Sequence, residues 1–271
     1  MGVLKQAVKH VLKSCGYTIS KVEQAMTTPA LYQQDGLQSI HNHDFMRDPA
    51  FVDAYSRGLK ACAGVDNLIH WRVHVAVWVA ACAARLRGDF VECGVNKGFN
   101  SSAIMRYLDW NSLNKTFYLL DTFNGIDVRF GLNEEKMAGK LEWNQKVLDT
   151  GGYERSVEAI TQNFSEWQRV KIIPGAVPET LPQVDAKEVA FLHLDMNCAI
   201  PEQAAAEYFW PRMVPGGLML FDDYGYVAYE PQKVALDQFA HACGVTVLSL
   251  PTGQGLVIKP PAKRVKTDAA A

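Results

Sequence analysis

Three apolar runs in this sequence stop abruptly on carboxylates. Leu218-Met219-Leu220-Phe221-Asp222-Asp223-Tyr224-Gly225 closes on two adjacent acids, Phe191-Leu192-His193-Leu194-Asp195 on a third, and Thr116-Phe117-Tyr118-Leu119-Leu120-Asp121 on a fourth. Acids at the end of a buried strand are costly without a cation or hydrogen-bond donors, so the pattern invites a functional reading. If the strands ending at Asp195 and at Asp222 lie side by side, three carboxylates meet at one sheet edge. Such a set, with waters and two substrate oxygens, completes an octahedral oxygen shell around a hard divalent cation. A cation there lowers the pKa of a bound hydroxyl and orients it.

A second constellation is the turn Glu92-Cys93-Gly94-Val95-Asn96-Lys97-Gly98-Phe99-Asn100-Ser101. Its glycines allow close backbone approach, but they are four apart and an acid precedes them, so it is not the GxGxxG of dinucleotide sites. Pyrophosphate prefers exposed amides without a neighbouring carboxylate, whereas Glu92 suits an ammonium group or hydroxyls. Asp121, 27 residues after Gly94, is placed to accept hydrogen bonds from a ribose. Together these favour an adenosine cofactor with a positive amino-acid end and disfavour a nucleotide-dependent oxidoreductase.

The elements that must position these residues follow from the patterning. From Gly88 strand-like and helix-like segments alternate, which predicts a doubly wound α/β sheet, mostly parallel and covered on both faces. Strands are expected at 89–94, 116–121, 170–173, 191–195 and 218–222, with 245–250 and 255–259 as a closing antiparallel pair, seven in all. Helices are expected at 48–59, where Asp48 caps and Pro49 opens, from Asp66, at 101–107, at 201–210 and at 231–243. Pro215-Gly216-Gly217 reads as the turn into the fifth strand, and residues 124–168 as an inserted lid. Residues 1–87 form a helical extension covering cofactor or substrate, residues 88–260 the core, and 261–271 a disordered tail. Residues 1–24 read as a basic amphipathic helix packed on the body or on a second subunit. The pairs His41/His43 and His70/His74 have spacings that could chelate a metal, but such pairs more often serve surface or packing roles.

Composition narrows the function. The chain has 271 residues, 48% hydrophobic and 21% charged, and its net charge of -2 gives no electrostatic case for nucleic acid. Its six cysteines are scattered without CxxC spacing, which fits a reducing cytoplasm. The longest apolar stretch, 73–86, is too short to span a bilayer.

The blocks Gly88-Asp89-Phe90-Val91-Glu92-Cys93-Gly94-Val95, Tyr118 to Ile126, Gly175-Ala176-Val177-Pro178-Glu179-Thr180-Leu181-Pro182, Leu192-His193-Leu194-Asp195-Met196 and Pro215 to Gly225 carry a resemblance. Over roughly residues 66–258 the chain is similar to the class I S-adenosylmethionine-dependent methyltransferases, and within them to the metal-dependent macrocin O-methyltransferase (TylF/MycF-like) family of sugar methyltransferases. The resemblance implies a Rossmann-like methyltransferase sheet. It implies that Glu92, Cys93, Gly94, Val95, Gly98 and Ser101 hold the methionine part of S-adenosylmethionine, that Asp121 with Thr122 and Phe123 holds the ribose, and that Gly175, Ala176 and Val177 flank the adenine. Asp195, Asp222 and Asp223 would bind a divalent ion, usually Mg2+.

One position departs from the family pattern, which commonly reads Asp-x-Asp: the second acid, a candidate general base, is here Asn197. Asn cannot take a proton at neutral pH, so Asp195 and His193 become the candidate catalytic residues, with His70, His74 and Lys97 as other candidate bases. The function expected is O-methylation of a hydroxyl of a sugar or other vicinal diol in a glycoside or secondary metabolite, by a homodimer or higher homo-oligomer. The alternative is a cofactor-binding protein of the same fold with lost or altered turnover.

Overall fold

The computed structural model of the chain describes residues 31–133 and 139–261; the expected helix at 1–24 and the expected tail from 262 onward lie outside the described residues. The chain divides into two compact units, residues 1–33 with 38–42 and residues 34–37 with 43–271. Within the first, the Leu31 amide donates to the Ser39 carbonyl at 2.9 Å. The second carries the main sheet and every site residue discussed below.

That sheet has seven strands: β1 (Asp89–Cys93), β2 (Phe117–Asp121), β3 (Val170–Pro174), β4 (Val189–Leu194), β5 (Met213–Phe221), β6 (Leu248–Ser249) and β7 (Gly255–Ile258). Their spatial order is β3-β2-β1-β4-β5-β7-β6, parallel except for β7, which runs antiparallel to both neighbours. Near-continuous apolar sequence is what a strand covered on both faces requires, and β4 is buried along its whole length with His193 as its one polar member. Alternate side chains feed opposite layers. Phe90, Phe117 and Leu119 face one core with the helices α1 (Pro49–Ala61), α2 (His70–Ala84) and α3 (Phe99–Tyr107). Val91, Tyr118 and Leu120 face the other with α6 (Ala199–Phe209) and α7 (Glu230–Ala242). Between the two groups of helices in sequence, the insertion contributes α4 (Lys140–Asp149) and α5 (Val157–Asn163).

The first helix starts as its sequence predicts: Asp48 Oδ1 accepts from the Ala50 amide at 2.8 Å, and Pro49 occupies the first turn. Three boundaries differ from expectation. The helix expected from Asp66 begins only at His70, because the Asp66 carboxylate folds the chain locally, accepting from the Leu68 amide at 2.7 Å and the Tyr55 hydroxyl at 2.6 Å. Pro215-Gly216-Gly217 lies inside β5 rather than before it. Val189 pairs with Met213 and Phe191 with Leu218, so the intervening residues leave the ladder as a bulge. The strand expected at 245–250 shrinks to Leu248–Ser249, since the Val245 amide closes α7 on the Ala240 carbonyl at 2.9 Å.

Candidate functional site

The carboxyl ends of the central strands line up by continuing their ladder one residue past each strand. Gly175 donates to the Asp121 carbonyl at 2.8 Å, Gly94 to Leu120 at 2.8 Å, Asp195 to Cys93 at 2.9 Å and Asp222 to Leu194 at 2.9 Å. This register sets Asp121, Gly94, Asp195 and Asp222 in a row where the order reverses between β1 and β4, the place at which open α/β sheets bind ligands. Gly94 is required there by packing. Its φ is +90°, and an added Cβ would lie 1.8 Å from the Asp195 carbonyl oxygen.

Two cavities open on this row and share Gly94, Asn96 and Asp195. The first is an open cleft of about 720 Å3, solvent-filled space included, and its walls include Asp121, Thr122, Gly175, Ala176 and Val177. Phe130 and Tyr153 of the insertion also line it. The second, about 650 Å3, is lined by Glu92, Val95, Lys97, Arg72 and Asp222 among others. Of the predicted cofactor residues, Cys93, Gly98, Ser101 and Phe123 line neither. Cys93 is fully buried in the core, and burial pushes its thiol pKa up. Gly98 packs on the Phe164 ring, and the Phe123 side chain is buried while its amide donates to Asp121 Oδ1 at 2.7 Å.

Glu92 lines the second cavity and is also held from within the fold. Its Oε2 accepts from the Ser101 hydroxyl and its Oε1 lies 2.8 Å from His193 Nδ1, so both oxygens already have internal partners. The Asp121 carboxylate likewise binds backbone: Oδ2 accepts from the Val95 and Asn96 amides at 2.7 and 2.8 Å. It thereby fixes the β1 turn against the end of β2.

His193 is wholly buried and lines neither cavity. Its Nε2 stands 3.6 Å from Asp222 Oδ1, an ionic approach beyond hydrogen-bond reach. Burial opposes a charge on this imidazole, but Asp222 and Glu92 hold its pKa well above the ordinary value. His70 and His74 also stay away from both cavities; they stack on Tyr55 and Phe45 at 4.1 and 4.0 Å between centroids, and burial lowers both pKa values. Lys97 lines the second cavity and donates to the Gly151 carbonyl at 2.7 Å, tying the insertion to the β1 turn.

The three acids differ in their surroundings. Asp222 has both oxygens occupied: Arg72 Nη1 donates to Oδ2 at 2.6 Å and Gln254 Nε2 to Oδ1 at 2.9 Å. Burial raises its pKa, but Arg72 and His193 pull it well below the usual carboxylate range. Asp223 is pushed up to about 8 by burial and by the Asp222 and Glu202 charges, and Asp195 is raised by burial and by Asp222 and Asp223. Among the described residues no group of three His, Cys, Asp or Glu side chains converges as a metal cage. The donor type still suits a hard cation, since buried carboxylates that raise one another's pKa are what a divalent ion relieves. Each Asp222 oxygen holds one donor and keeps a second lone pair, so its contacts with Arg72 and Gln254 leave it able to serve as a ligand beside Asp195 and Asp223.

Asn197 sits between helpers. Its Oδ1 accepts from the Tyr229 hydroxyl at 2.9 Å, its carbonyl from Lys140 Nζ at 2.6 Å, and its amide donates to Glu202 Oε1 at 3.1 Å. Burial raises the Glu202 pKa to about 7.

Sequence reasoning missed Arg72, Lys140 and Tyr229. The signal for Arg72 was present: it is the one charged residue of His70–Ala84, and an arginine in a helix otherwise so apolar needs a buried partner. Lys140 and Tyr229 lie in polar surroundings and carried no such signal.

A family model described as Macrocin-O-methyltransferase (TylF) matches residues 72–248. The chain is 27% identical over 143 residues to the 8-demethyl-8-(2,3-dimethoxy-alpha-L-rhamnosyl)-tetracenomycin-C 4'-O-methyltransferase of Streptomyces olivaceus, covering 51% of this chain and 53% of that one. It is 24% identical over 144 residues to the mycinamicin III 3''-O-methyltransferase of Micromonospora griseorubida, covering 51% and 55%. The matched region thus spans about half the length of these relatives. Among solved structures, the O-methyltransferase NovP superposes with a TM-score of 0.60 at 20% identity, over 70% of this chain and 80% of that one, a likeness of fold.

Proposed function

The chain belongs to the macrocin-O-methyltransferase (TylF) family, and from that premise we propose that it is an S-adenosylmethionine-dependent O-methyltransferase. Its acceptor is a hydroxyl of a sugar, or of another vicinal diol, in a glycoside or secondary metabolite, and it works with a divalent cation, Mg2+, at Asp195, Asp222 and Asp223. The observation that carries this reading is the meeting of the two cavities at Gly94 and Asp195. A cofactor in the first cavity and an oxygen held by the acids would face each other there. The activities after which the two relatives are named, each an O-methyltransferase and one involving a rhamnosyl group, support the substrate class.

The cofactor, when bound, supplies a methyl group on a sulfonium that leaves as a neutral thioether. The cation, when bound, supplies hard positive charge that makes a hydroxyl more acidic. The chain's own part is positioning. Asp121, already holding the β1 turn by its amides, faces the ribose, and Gly175, Ala176 and Val177 wall the adenine. Asp195 is the acid common to both cavities and so is the group that meets the acceptor oxygen. His193 acts from behind, ordering Asp222 through charge, and is a positioning residue because it reaches neither cavity.

A second reading, cofactor binding with lost or altered turnover, is favoured by Asn197, whose amide oxygen is engaged by Tyr229 and accepts no proton at neutral pH. Calorimetry with S-adenosylmethionine, with and without Mg2+, followed by a methyl-transfer screen over hydroxylated glycosides, separates the cases. Cofactor binding with product supports the first reading and binding without product the second. Absence of cofactor binding removes both.

A further inference from the structure

Tyr153 lines the first cavity, and its hydroxyl, shut off from solvent, finds no hydrogen-bond partner among the described residues. A phenol without a partner in such a place is unfavourable and calls for a reason. Loose packing is not the reason, because the loop that carries Tyr153, between α4 and α5, is held on two sides. On one side Asn96 of the β1 turn brackets it: Asn96 Oδ1 accepts from the Glu154 amide at 2.9 Å and Nδ2 donates to the Gly152 carbonyl at 3.3 Å. Lys97 adds its bond to the Gly151 carbonyl at 2.7 Å. On the other side the Tyr153 ring packs over Gly125, where an added Cβ would lie 3.2 Å from Tyr153 Cδ2. The ring of Trp143, in α4, stands edge-on to it with centroids 6.2 Å apart. Tyr153 is thus wedged between the β1 turn and the turn that follows Asp121. Burial and the Asp195 charge push its pKa above the ordinary tyrosine value, so the phenol keeps its proton and is a donor.

We propose that Tyr153 is a cofactor-binding residue supplied by the insertion, its hydroxyl donating to an oxygen of bound S-adenosylmethionine, with Asn96 as the residue that positions it. The proposal rests on the cofactor reading given above and is independent of any cation. Tyr153 lines the first cavity and not the second, so the oxygens it faces are those of the ribose rather than of the amino-acid end. A ribose hydroxyl both donates and accepts: Asp121 offers it an acceptor and Tyr153 a donor. The insertion then takes part in holding the cofactor, and the bracket at Asn96 joins that grip to the β1 turn.

The test is calorimetry with S-adenosylhomocysteine on the full chain, paired with thermal unfolding of the ligand-free protein. Tyr153→Phe keeps the ring and removes only the unpaired hydroxyl, so the ligand-free Tm is expected to hold level or rise. The Kd for S-adenosylhomocysteine is expected to rise about fivefold, the worth of one neutral hydrogen bond. A side chain that merely braced the loop would not separate the two readouts. Asn96→Gly suits a residue at φ +50° and removes both of its side-chain contacts to the loop. Its loss of affinity and that of Tyr153→Phe are expected to overlap in the double variant, and fully additive losses would strike Asn96 from the proposal. A fall in ligand-free Tm in Tyr153→Phe would mean that the hydroxyl has a partner within the chain, and overturns the proposal. If wild type binds S-adenosylhomocysteine and Tyr153→Phe binds it equally well, the role of Tyr153 is overturned and the cofactor site stands. If wild type does not bind it, the cofactor reading itself fails and the proposal with it.

Discussion

Glu202 shows how one buried carboxylate can set the shape of the site and its response to pH. It is 1% exposed, and its Oε1 takes three donors: the Met196 amide at 3.0 Å, the Asn197 amide at 3.1 Å and Gln232 Nε2 at 2.9 Å. These hold the turn that follows Asp195, in which Asn197 adopts φ +59°. Burial lifts the Glu202 pKa from 4.5 to about 7, so the folded chain keeps a proton that the unfolded chain gives up. That contribution to stability is fully present below pH 4.5 and is lost as pH rises to about 7. Glu202→Gln keeps the accepting oxygen and cannot titrate. Urea unfolding across this window should show wild-type stability falling by about 3 kcal/mol relative to the variant. Parallel profiles for the two proteins would refute the assignment of this proton to Glu202.

At the scale of elements, what the sequence reveals depends on how far away a residue's partners lie. The strands ending at Asp121, Asp195 and Asp222 were legible because continuous apolar runs that stop on an acid need no distant information. The start of α2 was not, since Asp66 spends its side chain on Leu68 and Tyr55 and leaves the helix uncapped there. For Arg72 the need for a buried partner was legible but the partners were not, since they lie 37 and 150 residues away. Close approach of β1 and β4 is set by Gly94: Gly94→Ala must push the Asp195 carbonyl aside at a backbone angle that disfavours L residues, costing about 3 kcal/mol or more. Stability within 0.5 kcal/mol of wild type in urea would show that the strands can part freely. The insertion is tied to the same edge by Lys140, which donates to the Asn197 carbonyl at 2.6 Å and to Gln232 Oε1 at 3.1 Å and lies over the Tyr229 ring at 4.2 Å. Lys140→Met should speed amide exchange across Lys140–Asp149 while leaving β4 protected. Unchanged exchange in α4 would mean that the insertion is held by other contacts.

For the molecule as a whole, a mostly parallel sheet covered on both faces follows from alternation and patterning, whereas the surroundings of the acids depend on α2, α4 and α7 arriving at the strand ends from separate parts of the sequence. A ligand that bridges those arrivals should therefore stabilise the entire fold, because it binds the folded chain and not the unfolded one. S-adenosylhomocysteine at a hundred times its Kd adds about 2.7 kcal/mol by mass action, which for a chain of this size raises Tm by about 5–10 °C. Asp121 is the discriminating residue. Its carboxylate holds the Val95, Asn96 and Phe123 amides, so Asp121→Asn lowers the Tm of the ligand-free chain as well, and each protein has to be compared with itself. If Asp121 also meets the ribose, the variant loses at least tenfold in affinity, about 1.4 kcal/mol, and at the same ligand concentration its rise in Tm is roughly halved. Equal rises in the two proteins would confine Asp121 to bracing the β1 turn. No rise in wild type would remove the cofactor from the first cavity altogether.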